Sequence, residues 1–324
     1  MSGTRDEGWS MRVTLETVTP LFLGGADPRG EPELRAASIR GALRFWLRAL
    51  LGGVIGDGKL DELRRAEAAV FGSTDTGASP VVVQITGNVQ HASYRPLPHN
   101  PRKTFTFRGI KPGEIFSLEL IPRRPHESVS PIVVSTTALW LLLGGVGKRS
   151  RRGFGTLQIR DRVESFSFTP EAYKDVKELE KTLRQVIEQA QADAKNFINI
   201  LNISPSTPSA PPAFPILYSD HTKILLCRRP FTMWEQAMKE FWGLLRSDPY
   251  QDNPVFGFAG NAGRQASPLH LRIVKTEGGY HLLMTAFRSR FASNPPDWTK
   301  LQDFLNDCEQ KWQGSWIMGG DISW

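Results

Sequence analysis

The residues best suited to chemistry lie in one stretch of twelve, Gly144 to Gly155, which reads GGVGKRSRRGFG. Five glycines and four cations, Lys148, Arg149, Arg151 and Arg152, occur there with no acid between them. Glycine lets backbone N–H groups approach a ligand and take up positive φ, and successive N–H groups can form a nest for an anion. Gly145, Gly147 and Ser150 supply such groups, the four cations add charge, and Phe154 offers a ring on which a base could stack. The order of residues is neither a Walker loop nor GxGxxG, and it follows an apolar helix rather than a strand. These features predict a track along a nucleic-acid backbone in preference to a nucleotide-phosphate pocket. A solvated, mobile basic loop is the alternative that composition alone leaves open.

A second cationic feature is the row Arg40, Arg44 and Arg48. Four-residue spacing puts the three on one helix face, and the guanidinium fork matches phosphate. No acid follows within that helix to relieve the repulsion. The row is therefore expected to bind an anion and to share a groove with the Gly-rich segment, while Trp46 turns into the core. A third stretch, GFAGNAGRQASPLHL, carries Arg264 and is either a turn-rich connection or a further RNA contact.

The six histidines, among them His91, His99 and His270, form no HExxH or other close ligand pair. There is no GxSxG elbow and no carboxylate cluster. No catalytic residue, cofactor or metal is expected from these residues, and the chain reads as no enzyme. Cys227 and Cys308 fit no disulfide framework or metal spacing, so both read as small buried apolar side chains. The longest apolar run is too short to span a membrane, so a cytoplasmic protein is expected.

The charge is one-sided. The net charge of +7 arises wholly in residues 1–165, with 23 Lys and Arg against 16 Asp and Glu; residues 166–324 balance at 17 each. That excess points to a polyanion or an acidic partner.

The elements that must hold these residues follow from periodicity. MRVTLETVT alternates as a half-buried strand; IRGALRFWLRALLGG, with Ser38 as N-cap, reads as a helix ending in its two glycines. KLDELRRAEAAVFG is a second helix, PVVVQITGNV and EIFSLELIPR are strands, SPIVVSTTALWLLLGGVG is a buried helix, and GTLQIRD is a strand. The order β, α, β, β, α, β is that of a ferredoxin-like unit, the topology of RNA-recognition domains. A long amphipathic helix and a Pro/Ser-rich connector follow. The order β, α, β, β, α then recurs, with a hairpin turning at Glu277-Gly278-Gly279; SWIMGGDISW leaves a final strand open. The expected class is thus α+β: two tandem ferredoxin-like (RRM-like) domains, antiparallel sheets with helices on one face. The N-terminal domain takes residues 1–165, and the C-terminal domain, with its added long helix, takes 166–324.

Three motifs in order, ETVTPLFLGG, LRAASIRGALRFWLRALLGG and GGVGKRSRRGFGTL, joined by the later GNAGRQASPLHL, resemble the RAMP superfamily of CRISPR-associated RNA-binding proteins. Within it the resemblance is to the family of first subunits of the type III-B Cmr effector. That resemblance implies tandem ferredoxin-like domains with a Gly-rich loop after the second helix of the first. It implies a subunit of a ribonucleoprotein in antiviral defence, with guide RNA, target RNA and other Cmr complex subunits as partners, and contacts at the 3′ part of the guide and its paired target. Some RAMP proteins cut guide precursors with a His near the start of the domain; Ser38–Gly53 holds none. Metal-independent guide processing is therefore the alternative function, with a sequence-tolerant RNA-binding subunit preferred.

Overall fold

The computed structural model describes residues 9–25, 27, 30–96, 105–123, 129–260, 263–291 and 296–324. The first domain runs β1 (Met11–Thr17), α1 (Ala36–Ile55), α2 (Leu60–Phe71), β2 (Val81–Thr86), β3 (His91–Tyr94), β4 (Phe107–Ile110), β5 (Ile115–Pro122), α3 (Ser130–Leu143) and β6 (Leu157–Ile159). Its sheet has the order β2-β5-β1-β6, every pair antiparallel. This is the ferredoxin-like arrangement, with β3 and β4 inserted as a separate hairpin where the sequence suggested only a connector.

A long helix, α4 (Val176–Ile200), leads to the second domain. That domain runs β7 (Thr222–Cys227), α5 (Trp234–Leu245), the small hairpin β8 (Phe258–Gly260) and β9 (Gly263–Gln265), β10 (Leu269–Thr276), β11 (Gly279–Phe287), α6 (Trp298–Trp312) and β12 (Gly314–Met318). Its sheet order, β10-β11-β7-β12, repeats the first topology. The strand that the sequence left open is β12, which pairs antiparallel with β7 through Gly314 to Met318 and bulges after Trp316.

The periodicities locate the helices well, and two termini differ from expectation. Helix α1 starts at Ala36, with Arg35 at the N-cap making no side-chain cap, so Ser38 lies in the first turn. Gly52 and Gly53 do not end the helix. They thin it where the connector crosses: a Cβ on Gly53 would stand 2.4 Å from the Leu217 carbonyl oxygen, and Leu217 N–H donates to Ala49 O at 2.7 Å. The helix stops at Gly56, where φ is +82.

The domains are fused. Helix α4 packs on α1 and α3, and its Leu179, Leu183 and Phe197 join the core beneath the first sheet. That core continues onto Ile224, Leu226, Leu283 and Phe287 of the second sheet. The other face of the second sheet, including Leu225 and Cys227, packs on α5 and α6. Strand β7 is therefore buried along all six residues, Thr222 and Lys223 included, and its apolar stretch Ile224 to Cys227 is covered on both faces. Cys227 and Cys308 are both buried and unpaired with each other, and burial raises both thiol pKa values. Glu16, 7 % exposed, bridges the domains with Arg160 at 3.0 Å and Lys275 at 3.5 Å.

Candidate nucleic-acid interface

The Gly-rich segment between α3 and β6 is where the domains meet. The sequence predicts a flexible loop, and the structure corrects this: the glycines are there for close packing. At Gly147 (φ +85) a Cβ would lie 2.5 Å from Phe22 O, and at Gly155 (φ +68) 2.0 Å from Val146 O. The backbone is tied on both sides. Lys148 N–H donates to Phe22 O at 2.8 Å, Val146 N–H to Gly155 O at 3.1 Å, and Gly155 N–H to Pro20 O at 3.0 Å. Toward the second domain, Gly153 N–H donates to Leu271 O and Leu271 N–H to Arg151 O, both at 3.0 Å. Buried Arg272 of β10 donates to the carbonyls of Gly144 and Leu157, and burial pulls its pKa down to about 10.

Phe154 requires a second correction. It is 1 % exposed, with its centroid 4.9 Å from Phe22 and 6.2 Å from Trp234 of α5. The ring is a peg from the first domain in the second domain's core, so it presents no face to a base. A buried ring of this size dominates local packing.

What the rigid segment displays is charge. The Arg151 guanidinium lies 5.5 Å from the Phe45 ring centroid and donates to Ser267 O at 3.1 Å. Arg152 lies 5.3 Å from Trp242, and Lys148 lies 5.8 Å from Phe107. Arg149 sits at φ +63, outside the usual region for a side-chain-bearing residue. Among the described residues no carboxylate lies within salt-bridge distance of Arg149, Arg151 or Arg152. Burial lowers the pKa of all three. The charge of Arg152 lowers Arg149 further, and Arg246 at the end of α5 does the same to Arg152. A partly desolvated cluster of like charge is what a phosphate would relieve. Sequence reading missed Arg246, because nothing in the chain order puts the end of α5 beside residue 152.

The arginine row of α1 is not in this groove. Arg44 donates to the carbonyls of Phe71 at 2.9 Å and Gly72 at 2.6 Å, closing the C-terminus of α2. Glu67 of α2 supplies the acid that α1 lacks, 3.5 Å from Arg44 and 3.1 Å from Arg48. Arg40 is half-buried, its Nε without a hydrogen-bond partner among the described residues. The face of α1 that meets the Gly-rich segment carries Ser38, Ala42, Phe45 and Trp46. Trp46 is 2 % exposed, as expected, but it is buried toward the segment and not away from it. Arg264 is exposed on β9, three residues before Ser267, whose carbonyl accepts from Arg151.

Between α1, the segment and β10 lies a cleft of about 250 Å³ lined also by His270. His270 is 7 % exposed and stacked on Phe45, centroids 5.3 Å apart. Burial, and then the charge of Arg151, hold its pKa well below the ordinary range. His91 instead pairs with Glu31 at 3.1 Å on the inserted hairpin, and His99 lies outside the described residues. Among the described residues no three His, Cys, Asp or Glu side chains are grouped to hold a metal, and no helix is long and apolar enough to cross a membrane.

Known proteins resemble this chain in sequence and in fold. The RAMP superfamily matches residues 14–158. The CRISPR system Cmr subunit Cmr1-2 of Pyrococcus furiosus is 29 % identical over 176 residues, 45 % of this chain and 92 % of that protein. Cmr1-1 of the same organism is 32 % identical over 201 residues, 54 % of this chain and 55 % of its own length. The crystal structure of Cmr1 from Pyrococcus furiosus in its apo form superposes with a TM-score of 0.66 at 22 % identity, covering 96 % of this chain and 99 % of that one. A chain of the type III-B Cmr-beta complex bound to cognate target RNA superposes with a TM-score of 0.62 at 12 % identity, covering 94 % and 99 %. These two likenesses establish the fold across both domains.

Proposed function

We propose, on the premise that residues 14–158 match the RAMP superfamily and that the whole chain has the Cmr1 fold, that this protein is an RNA-binding subunit of a type III-B CRISPR effector. In that reading it binds the 3′ part of the guide RNA and its paired target, beside other Cmr subunits, in cytoplasmic antiviral defence. The observation that carries the reading is the cluster Arg149, Arg151 and Arg152 with Arg246 beside it: burial disfavours the first three as free cations, and like charge adds to this at Arg149 and Arg152. Phosphates are the ligands that such a cluster fits.

The reading is of a binding surface and not of a nuclease. The fused domains present the cations in a fixed array, so RNA meets a preorganised surface and little of its binding free energy goes into ordering the protein. Backbone recognition of this kind tolerates sequence, as a subunit serving many guides requires.

Ultraviolet cross-linking of the full chain to a single-stranded guide RNA, with the contacted peptides mapped, tests the proposal. Cross-links should fall on peptides containing residues 148–152 and 264, and should weaken steeply with salt. Cross-links confined to α2 and the outer face of α4, or binding indifferent to salt, would remove the assignment. Cleavage of labelled guide precursor by the pure protein would favour the processing alternative.

A further inference from the structure

The cleft beside the cationic cluster has a chemistry of its own. Its floor is Phe45 and Trp46, and Gly145 and Gly147 line its rim together with Ser150 and Arg151. The N–H groups of Gly145 and Gly147 take no backbone acceptor among the described residues. Helix α1 begins at the same cleft with no side-chain cap and no acid in its first turn, and Ser38 of that turn is on the wall. These groups suit an anion. The independent observation comes from the other domain: His270 lines the cleft, is 7 % exposed, and its Nε2 is buried with no hydrogen-bond partner among the described residues. An unpaired buried polar atom costs free energy unless something meets it.

We propose that this cleft is a pocket for a single ribonucleotide, its phosphate on the N–H groups and the Arg151 guanidinium of the Gly-rich rim and its 2′-hydroxyl on His270 Nε2. The proposal rests on the RNA-binding reading above and adds to it a device that separates RNA from DNA. A hydroxyl both donates and accepts, so it can serve a neutral imidazole nitrogen in either tautomer. The 2′-hydroxyl is also the group that DNA lacks, and a site built to bond a hydroxyl rejects the ligand without it. The stack on Phe45 fixes the ring plane, which makes His270 a reader rather than a mobile side chain.

The test compares one 20-nucleotide sequence as RNA, as all-deoxy strand, and as RNA with a single 2′-deoxy substitution walked along it. Binding to the full chain is read by fluorescence anisotropy at fixed salt, with gels to check that the RNA stays intact. The unmodified protein should prefer RNA to DNA by about fivefold to tenfold, the size of one hydrogen bond. In the walk, one position should carry most of that preference. His270→Phe, which keeps a ring against Phe45, should lower RNA affinity to the DNA level and leave DNA affinity unchanged. If neither strand binds, the parent reading fails and this one with it. If RNA and DNA bind equally, or the walk spreads the preference evenly, the pocket alone is refuted while RNA binding stands. Preference retained in His270→Phe also refutes it. Should that variant melt early, the walk on the unmodified protein still decides. RNA cut by the unmodified protein and left whole by His270→Phe would overturn the reader role in favour of a catalytic one.

Discussion

Replacing Arg149 and Arg152 by glutamine together isolates the cationic cluster from the fold. Both arginines are half-buried and lack carboxylate partners among the described residues, so their loss breaks no ion pair. Each phosphate contact to a single strand contributes about 0.7 to the slope of log affinity against log salt. Two lost contacts should therefore flatten the slope by about 1.4. At 0.1 M salt each contact corresponds to a factor of about five, so affinity should fall about 25-fold, or ~1.9 kcal/mol. Stability moves little: the variant gives up a cation over Trp242, worth ~0.5–1 kcal/mol at an exposed site, and is relieved of the repulsion among Arg149, Arg152 and Arg246. Anisotropy titrations at four salt concentrations, with thermal melts alongside, measure both quantities. An unchanged slope would show that the cluster does not meet phosphate. A large fall in melting temperature would show that the arginines hold the domains together instead.

Other outcomes follow from the same geometry. Arg44→Ala should destabilise the protein by about 1–3 kcal/mol in denaturant titration, since it frees the carbonyls of Phe71 and Gly72 and leaves Glu67 with Arg48 alone, while RNA affinity of the folded protein stays the same. Gly155→Ala should cost at least ~2 kcal/mol, because the new methyl meets Val146 O and φ is +68; wild-type melting behaviour would refute the close-packing account of the glycines. Acid should weaken the fold: the pKa values of His221, His270 and His281 are all lowered by burial, so below the ordinary value of 6.5 the unfolded chain binds more protons. Stability from these groups is complete above about pH 6.5 and lost as pH falls from there towards their folded values, and His270→Phe should shallow that decline in melts between pH 7 and 5.

The βαββαβ order of the first domain and the βαββα order of the second were legible from periodicity, because those strands and helices carry their own patterns of apolar residues. Strand β12 was not, since GSWIM is short and bulged, and its status depends on the partner β7. The site was legible as a charge excess at Lys148 to Arg152 but not as a shape. Glycine composition reads the same for a loose loop and for a backbone pressed against another, and only Phe22 O and Val146 O distinguish the two. The arginine row of α1 misled for a related reason. Its relieving acid, Glu67, is on α2, and spacing within one helix says nothing about the next. His270 carried no signal at all, lying in a strand whose neighbours in sequence are apolar.

The pegs at Phe22 and Phe154 and the doubly covered strand β7 make the molecule indivisible. Scission after Ile200 would bare one hydrophobic face of the second sheet, strip two aromatic plugs from the core on its other face, and leave those rings uncovered on the first fragment. Neither piece would then be expected to stay dissolved by itself. Heating the intact chain should show one transition by fluorescence and by calorimetry, with equal van't Hoff and calorimetric enthalpies. The topological repeat would then mark no division of labour: one plan appears twice within a single folding unit.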